Sequence, residues 1–149
     1  MKKRTGIVVL VIIGVLVLIQ LMPVRKTNPM VESDLIALPE VKTILKKSCY
    51  DCHSHETIWP GYSKIAPISW LIAAHVNEGR EYLNFSVWNR YDAKKRLRVR
   101  EEIWDEVSRG AMPLKSYLWL HSQARLTQAD RQLLQTWATE QEGDRDGMR

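Results

Sequence analysis

The chain has 149 residues, only two of them cysteine, and 22 Lys and Arg against 17 Asp and Glu give it a formal net charge of +5. What remains after a long uncharged N-terminal run suffices for one small domain, hardly for two. No internal repeat or low-complexity block is present.

Lys2, Lys3 and Arg4 are followed by TGIVVLVIIGVLVLIQLMPV, an uncharged run of about 20 residues that as a helix matches the thickness of a hydrocarbon core. It reads as a membrane span, with residues 1–24 forming an N-terminal anchor. A cleaved secretory signal is the alternative, but the run is long for one and no small-x-small cleavage site follows in LMPVRKTNPM. Arg25 and Lys26 partly offset the N-terminal cations; the balance still leans the N-terminus inside and everything after Val24 outside. Residues 25–37 read as a polar linker, 38–142 as the domain, and 143–149 as a polar tail.

The domain reads as all-helical, with about four helices and no sustained period-two alternation. In LPEVKTILKKSC, Leu38, Val41, Leu45 and Cys49 share a face, with Pro39 at the first helical position and Lys46 and Lys47 at the C-terminal end. A second helix starts near Pro67 and places Ile68, Ile72, His75 and Val76 along one side. A third carries Val99, Ile103, Trp104 and Val107 and ends near Gly110. The fourth opens on a capping-box pair, Thr127 and Asp130, and buries Leu133, Leu134, Trp137 and Ala138.

Both cysteines fall in KKSCYDCHSHETIWP, as Cys49-Tyr50-Asp51-Cys52 with His53 directly after. Such a pair can be a redox dithiol, half of a zinc site, or the attachment point of a c-type haem. The histidine separates these chemistries. Two thiols can tether the porphyrin through its vinyl groups, and an imidazole next to the second can reach the iron, so His53 becomes the proximal axial ligand. A thioredoxin-like dithiol expects a βαβ context that this sequence lacks. Zinc would need two further ligands among His53, His55, His75 and His121. The expected cofactor is one haem c, bound covalently through Cys49 and Cys52.

The segments CYDCHSHETIWPGYSKIAPISWLIAAHVNEGREYLNFSVWNRY and GAMPLKSYLWLHSQARLTQADRQLLQTWA resemble the bacterial haem-binding domain family, small membrane-anchored proteins related in pattern to monohaem cytochromes c. The resemblance covers roughly Leu38 to Ala138. It implies a small cytochrome c-like helical domain, thioether bonds at Cys49 and Cys52, proximal ligation by His53 and a sixth ligand at Met112. The residues themselves also favour Met112: Gly110 ends the third helix, and Pro113 biases Met112 toward extended backbone, so a thioether is presented on a short constrained loop. His75 is the competing sixth ligand, with a hydrogen-bonded core role as its default. His55 reads as a loop residue and His121 as a surface or cap residue.

Trp59, Tyr62, Trp70, Trp88, Tyr91, Trp104, Tyr117, Trp119 and Trp137 are more aromatics than a small helical core needs, and a haem supplies surface for them. Trp59, Pro60, Tyr62 and Ile65 follow the attachment motif and are expected at the porphyrin edge; Trp137 is expected to pack the last helix on the first. Arg90, Lys94, Lys95, Arg96, Arg98 and Arg100, against Asp92 alone, offer a surface for an acidic redox partner or anionic headgroups, or simply a solvated helix face. Nucleic acid is a poor partner for an exported domain. The expected function is a single-electron carrier at the outer face of a bacterial cytoplasmic membrane. The alternatives are a haem-based gas sensor or peroxidase-like enzyme with a labile sixth ligand, and a zinc-binding structural domain.

Overall fold

The computed structural model describes residues 2–140, so the expected tail at 143–149 and the last two residues of the expected domain lie outside the described residues. Within them the chain is helical and has no strand: α1 (Lys2–Leu18), α2 (Pro39–Ser48), α3 (Tyr50–His53), α4 (Ile68–Tyr82), α5 (Ala93–Ser108), α6 (Lys115–Leu120) and α7 (Gln128–Thr139). Four of these, α2, α4, α5 and α7, are the four helices expected from sequence; α3 and α6 are short additions. A 3₁₀ turn, Ile19–Leu21, continues α1, and the stretch Arg4–Leu21 is long and apolar enough to cross a membrane, with mean hydropathy 2.5 and none of it buried in the protein.

The core is built where α7 packs on both α2 and α5. Val41 and Leu45 of α2, Val99 and Val107 of α5, and Leu134 and Trp137 of α7 are buried together with Phe85 and Trp88 from the loop after α4. Thr127 and Asp130 form the capping box that starts α7, and the Asp130 carboxylate also takes the Lys47 ammonium at 2.7 Å, tying α7 to α2. Trp137 packs α7 against α5 as well as into the common core: the buried Arg100 guanidinium lies 4.9 Å from its ring centroid and donates to the carbonyls of Trp137 and Glu140. Arg100 is therefore structural, and Arg90 pairs with Glu32, so the basic run from 90 to 100 is not one surface.

Three packing faces differ from the sequence expectation. Leu38 is the N-cap of α2 and half exposed, and Ile44 takes the buried place; Leu133 is 43% exposed. On α4 the buried residues are Ser69, Ala73, Val76 and Gly79, while Ile68 is exposed and Ile72 and His75 half-buried. Small residues win that face because α3 and the turn Gly61–Lys64 approach the helix closely there.

Residues 25–37 lie as an ordered strap along the domain. Lys26 Nζ donates to the Ser63 carbonyl, Asn28 Nδ2 to the Thr57 carbonyl, and the backbone amides of Glu32 and Ser33 both donate to Ser86 O. Leu35 enters the core at 3% exposure, and Asp34 receives the Lys42 ammonium and, at 2.7 Å, the Tyr50 hydroxyl.

Candidate functional site

α2 ends at Ser48, and Cys49 begins a single helical turn, α3, in which the amides of Cys52 and His53 both donate to Cys49 O. That turn carries Cys49, Cys52 and His53 to one wall of a cavity of about 530 Å³. The connection after α5 carries Met112 to the same cavity. Gly110, at φ +71°, reverses the chain there, and the amides of Ala111 and Met112 both donate to Glu106 O, so the loop closes the end of α5. All four residues singled out from sequence line one space, together with the apolar Leu83, Phe85, Val99, Ile103, Val107 and Leu114.

His53 is fixed on two sides. Its Nδ1 donates to the carbonyls of Gly79, at 2.9 Å, and Leu83, at 3.2 Å, and its ring meets Phe85 edge-on at 6.4 Å between centroids. Bonding Nδ1 to carbonyls sets the tautomer and leaves Nε2 with its lone pair free. Burial pushes the imidazole below its ordinary range, although the two carbonyls pull the other way, so the ring is neutral at neutral pH. The thiols are free; burial, reinforced by Cys52, pushes Cys49 up to about 12, and burial together with Asp51 pushes Cys52 to about 11. Neither is a reactive thiolate at neutral pH.

Four supporting residues were not read from the sequence in these roles. Gly79 lets α3 lie on α4, since a β-carbon there would stand 2.8 Å from the Cys52 carbonyl oxygen. A glycine inside the helical pattern NEGREY is the signal that marks such an approach. Arg80 binds Ser54 O, Thr27 O and Thr57 Oγ1, fastening the chain after His53 to the strap. Asp51, between the cysteines, accepts from the Ile58 amide and from the Tyr117 hydroxyl at 2.7 Å. Tyr117 in turn stacks on His121, which caps α6 as expected.

Several expected lining residues lie elsewhere. Trp59, Pro60, Tyr62 and Ile65 do not line the cavity: Trp59 bonds Asn28, Tyr62 bonds His121, and Ile65 is exposed. Of the nine aromatics counted as surplus to a small core only Tyr117 lines the cavity; Tyr82 and Phe85 supply the other rings. His55 is a loop residue that joins Met30 O to Asn84. His75 lines the cavity and its imidazole makes no hydrogen bond among the described residues, which departs from its default as a bonded core histidine. No group of three His, Cys, Asp or Glu among the described residues is gathered for a metal ion, so the zinc reading lacks its remaining ligands.

A family model described as a haem-binding domain matches residues 14–140. The chain belongs to the haem-binding domain family. No curated protein and no solved structure matches it. The residues present fit a haem: the cavity has the volume of a cofactor site, its walls are largely apolar, and one neutral imidazole is held with a free nitrogen. In the haem-binding domain, α3 and α4 on one side and α5 with its following loop on the other frame that cavity.

Proposed function

We propose that the protein holds one haem covalently through Cys49 and Cys52, with His53 as proximal and Met112 as sixth iron ligand, and relays single electrons from an anchor in the cytoplasmic membrane. The observation that carries this is the meeting of all four side chains at one cavity with His53 Nδ1 already engaged. Each thiol would add its sulfur to one carbon of a haem vinyl group and its proton to the other, an attachment without net oxidation. The haem supplies a one-electron iron couple. His53, its ring oriented by Gly79 O and Leu83 O, would hold the iron, Met112 would serve as the second protein ligand, and the apolar walls would exclude water and so favour the ferrous state. The apolar stretch Arg4–Leu21 supports anchoring, and the flanking charges support an extracytoplasmic domain. Lys94, Lys95 and Arg98, exposed on α5, suit an acidic redox partner.

The His75 imidazole, on the same cavity and without a hydrogen bond among the described residues, favours a second reading, a sensor or peroxidase-like site in which it would act on a ligand at an open iron. Spectra of the oxidised and reduced protein with and without carbon monoxide decide between the two. The relay predicts a low-spin ferrous protein slow to bind carbon monoxide and a weak ferric sulfur-to-iron band. Met112→Ala abolishes that band and opens the iron, while His75→Ala leaves the spectrum intact. Rapid carbon monoxide binding by the native protein favours the second reading instead.

A further inference from the structure

The segment from Ile65 into the first turns of α4 is built the wrong way round for water. Ala66, Ser69 and Ala73 point inward and are buried, while Ile65, Ile68 and Leu71 are 55%, 46% and 55% exposed. An amphipathic helix facing solvent would present the reverse.

This apolar surface lies beside the end of the α1 span. The Gln20 side chain brackets one residue of the segment: its Nε2 donates to Ala66 O at 3.0 Å and its Oε1 accepts from the Ala66 amide at 3.0 Å. Trp70 Nε1 donates to Met22 O at 3.1 Å. The segment from 65 to 71 therefore stands within one side chain's reach of residues 20–22, whose Leu21 and Met22 are themselves exposed. Exposed Lys64 and Arg25 flank the patch.

We propose that Ile65, Ile68 and Leu71, with Trp70 at the headgroup level and Lys64 and Arg25 toward anionic headgroups, form a face that rests in the surface of the bilayer. The proposal builds on the reading of α1 as a membrane span. Continuity with the span selects lipid as the occupant, and the composition is that of an interfacial face: aliphatics inward, an indole at the boundary, cations at the rim. The seat has a consequence for the haem site. α4 carries Ile68 and Leu71 in its first turn and Gly79 of the cavity about 16 Å beyond Ile68 along the helix. With the strap of residues 25–37 bound to the domain, the cavity is held at a fixed position over the membrane.

The test is photo-crosslinking in the full-length protein, reconstituted in vesicles of phosphatidylethanolamine and phosphatidylglycerol. A benzophenone amino acid is placed singly at Ile68, Leu71, Val11 and Gln135, the last exposed on α7. The exposed positions tolerate replacement, and retained haem content verifies the fold of each variant. Lipid adducts at Ile68 and Leu71 comparable with those at Val11, and about tenfold above those at Gln135, are expected. Adducts at Val11 with none at Ile68 or Leu71 overturn the seat and leave the anchor standing. Crosslinks from Ile68 or Leu71 to a second copy of the chain instead of lipid also overturn it. Absence of lipid adducts at Val11 overturns the span, and the seat with it.

Discussion

Gly79 and Cys52 touch so closely that a β-carbon at position 79 would stand 2.8 Å from the Cys52 carbonyl oxygen and 3.3 Å from the Cys52 β-carbon. Helix propensity alone says that Gly79→Ala within α4 stabilises by at most about 1 kcal/mol. Overpacking costs about 1–3 kcal/mol, and the obstructing atom here is backbone, which cannot swing aside. We expect the clash to win, by up to about 2 kcal/mol, and to push α3 off α4, disturbing the bond from His53 to Gly79 O. Urea unfolding and haem content together check this; a more stable variant with full haem loading contradicts it.

Arg80 donates to Ser54 O at 2.7 Å, to Thr27 O at 2.8 Å and to Thr57 Oγ1 at 2.8 Å, bridging α4, the loop after His53 and the strap. Arg80→Leu leaves part-buried acceptors without a donor and is expected to cost about 2–3 kcal/mol. Hydrogen exchange should speed up at residues 26–30 and 54–58 while the α5–α7 core stays protected. Uniform exchange across the domain would show that the strap is not a separable unit.

At Asp34, burial opposes ionisation, but the Lys42 ammonium and the Tyr50 hydroxyl outweigh it and hold the carboxyl below its usual range. The folded state thus binds its proton less readily than the unfolded one. The stability this contributes is present above the unfolded carboxylate range, near pH 4, and is lost as pH falls through the folded value. The pair is partly solvated, so the gain is on the order of 1 kcal/mol. Asp34→Asn should be less stable than the native protein at pH 7, with the gap closing as the pH falls below the unfolded carboxylate range, about pH 4, and through the folded value beneath it. A gap that persists in acid would contradict the assignment.

Gly110 sits at φ +71°, and a β-carbon there would meet nothing within 4 Å, so the cost of substitution is conformational alone. Gly110→Ala should lose about 1 kcal/mol and Gly110→Asn less, because Asn tolerates the left-handed region. The loop that presents Met112 begins at this residue, so thermal unfolding is compared with the ferric sulfur-to-iron band. Equal losses for both variants would point to another cause.

What was legible in the sequence was local. Thr127 with Asp130, Pro39 at the start of α2, and Gly110 after α5 each act on their own few residues, and the structure uses them as read. The Cys49, Cys52 and His53 cluster is local as well, Gly110 and Pro113 single out Met112, and what the structure adds is that the four line one cavity. The errors came from treating neighbours in sequence as neighbours in space. Trp59 and Tyr62 follow the motif directly, yet the chain turns away after Ser54, held by Arg80, and Tyr117 reaches the cavity instead. Hydrophobicity misassigned the buried face of α4, where close approach selects Ser69, Ala73 and Gly79 over Ile68. The polar composition of residues 25–37 concealed a strap whose bonds are mostly to backbone groups, which no side-chain pattern records.

The central claim is a haem bound covalently at Cys49 and Cys52. Its most direct test is the mass of the full-length protein, produced with a c-type maturation system and extracted with acid-acetone, followed by the mass of the peptide containing residues 49–53. The account predicts that colour stays with the protein and that intact chain and peptide each exceed the polypeptide mass by one haem. Cys49→Ala or Cys52→Ala should weaken attachment, whereas His53→Ala should chiefly disturb ligation of the iron. A colourless protein at polypeptide mass, with both thiols free and the haem in the extract, would contradict it.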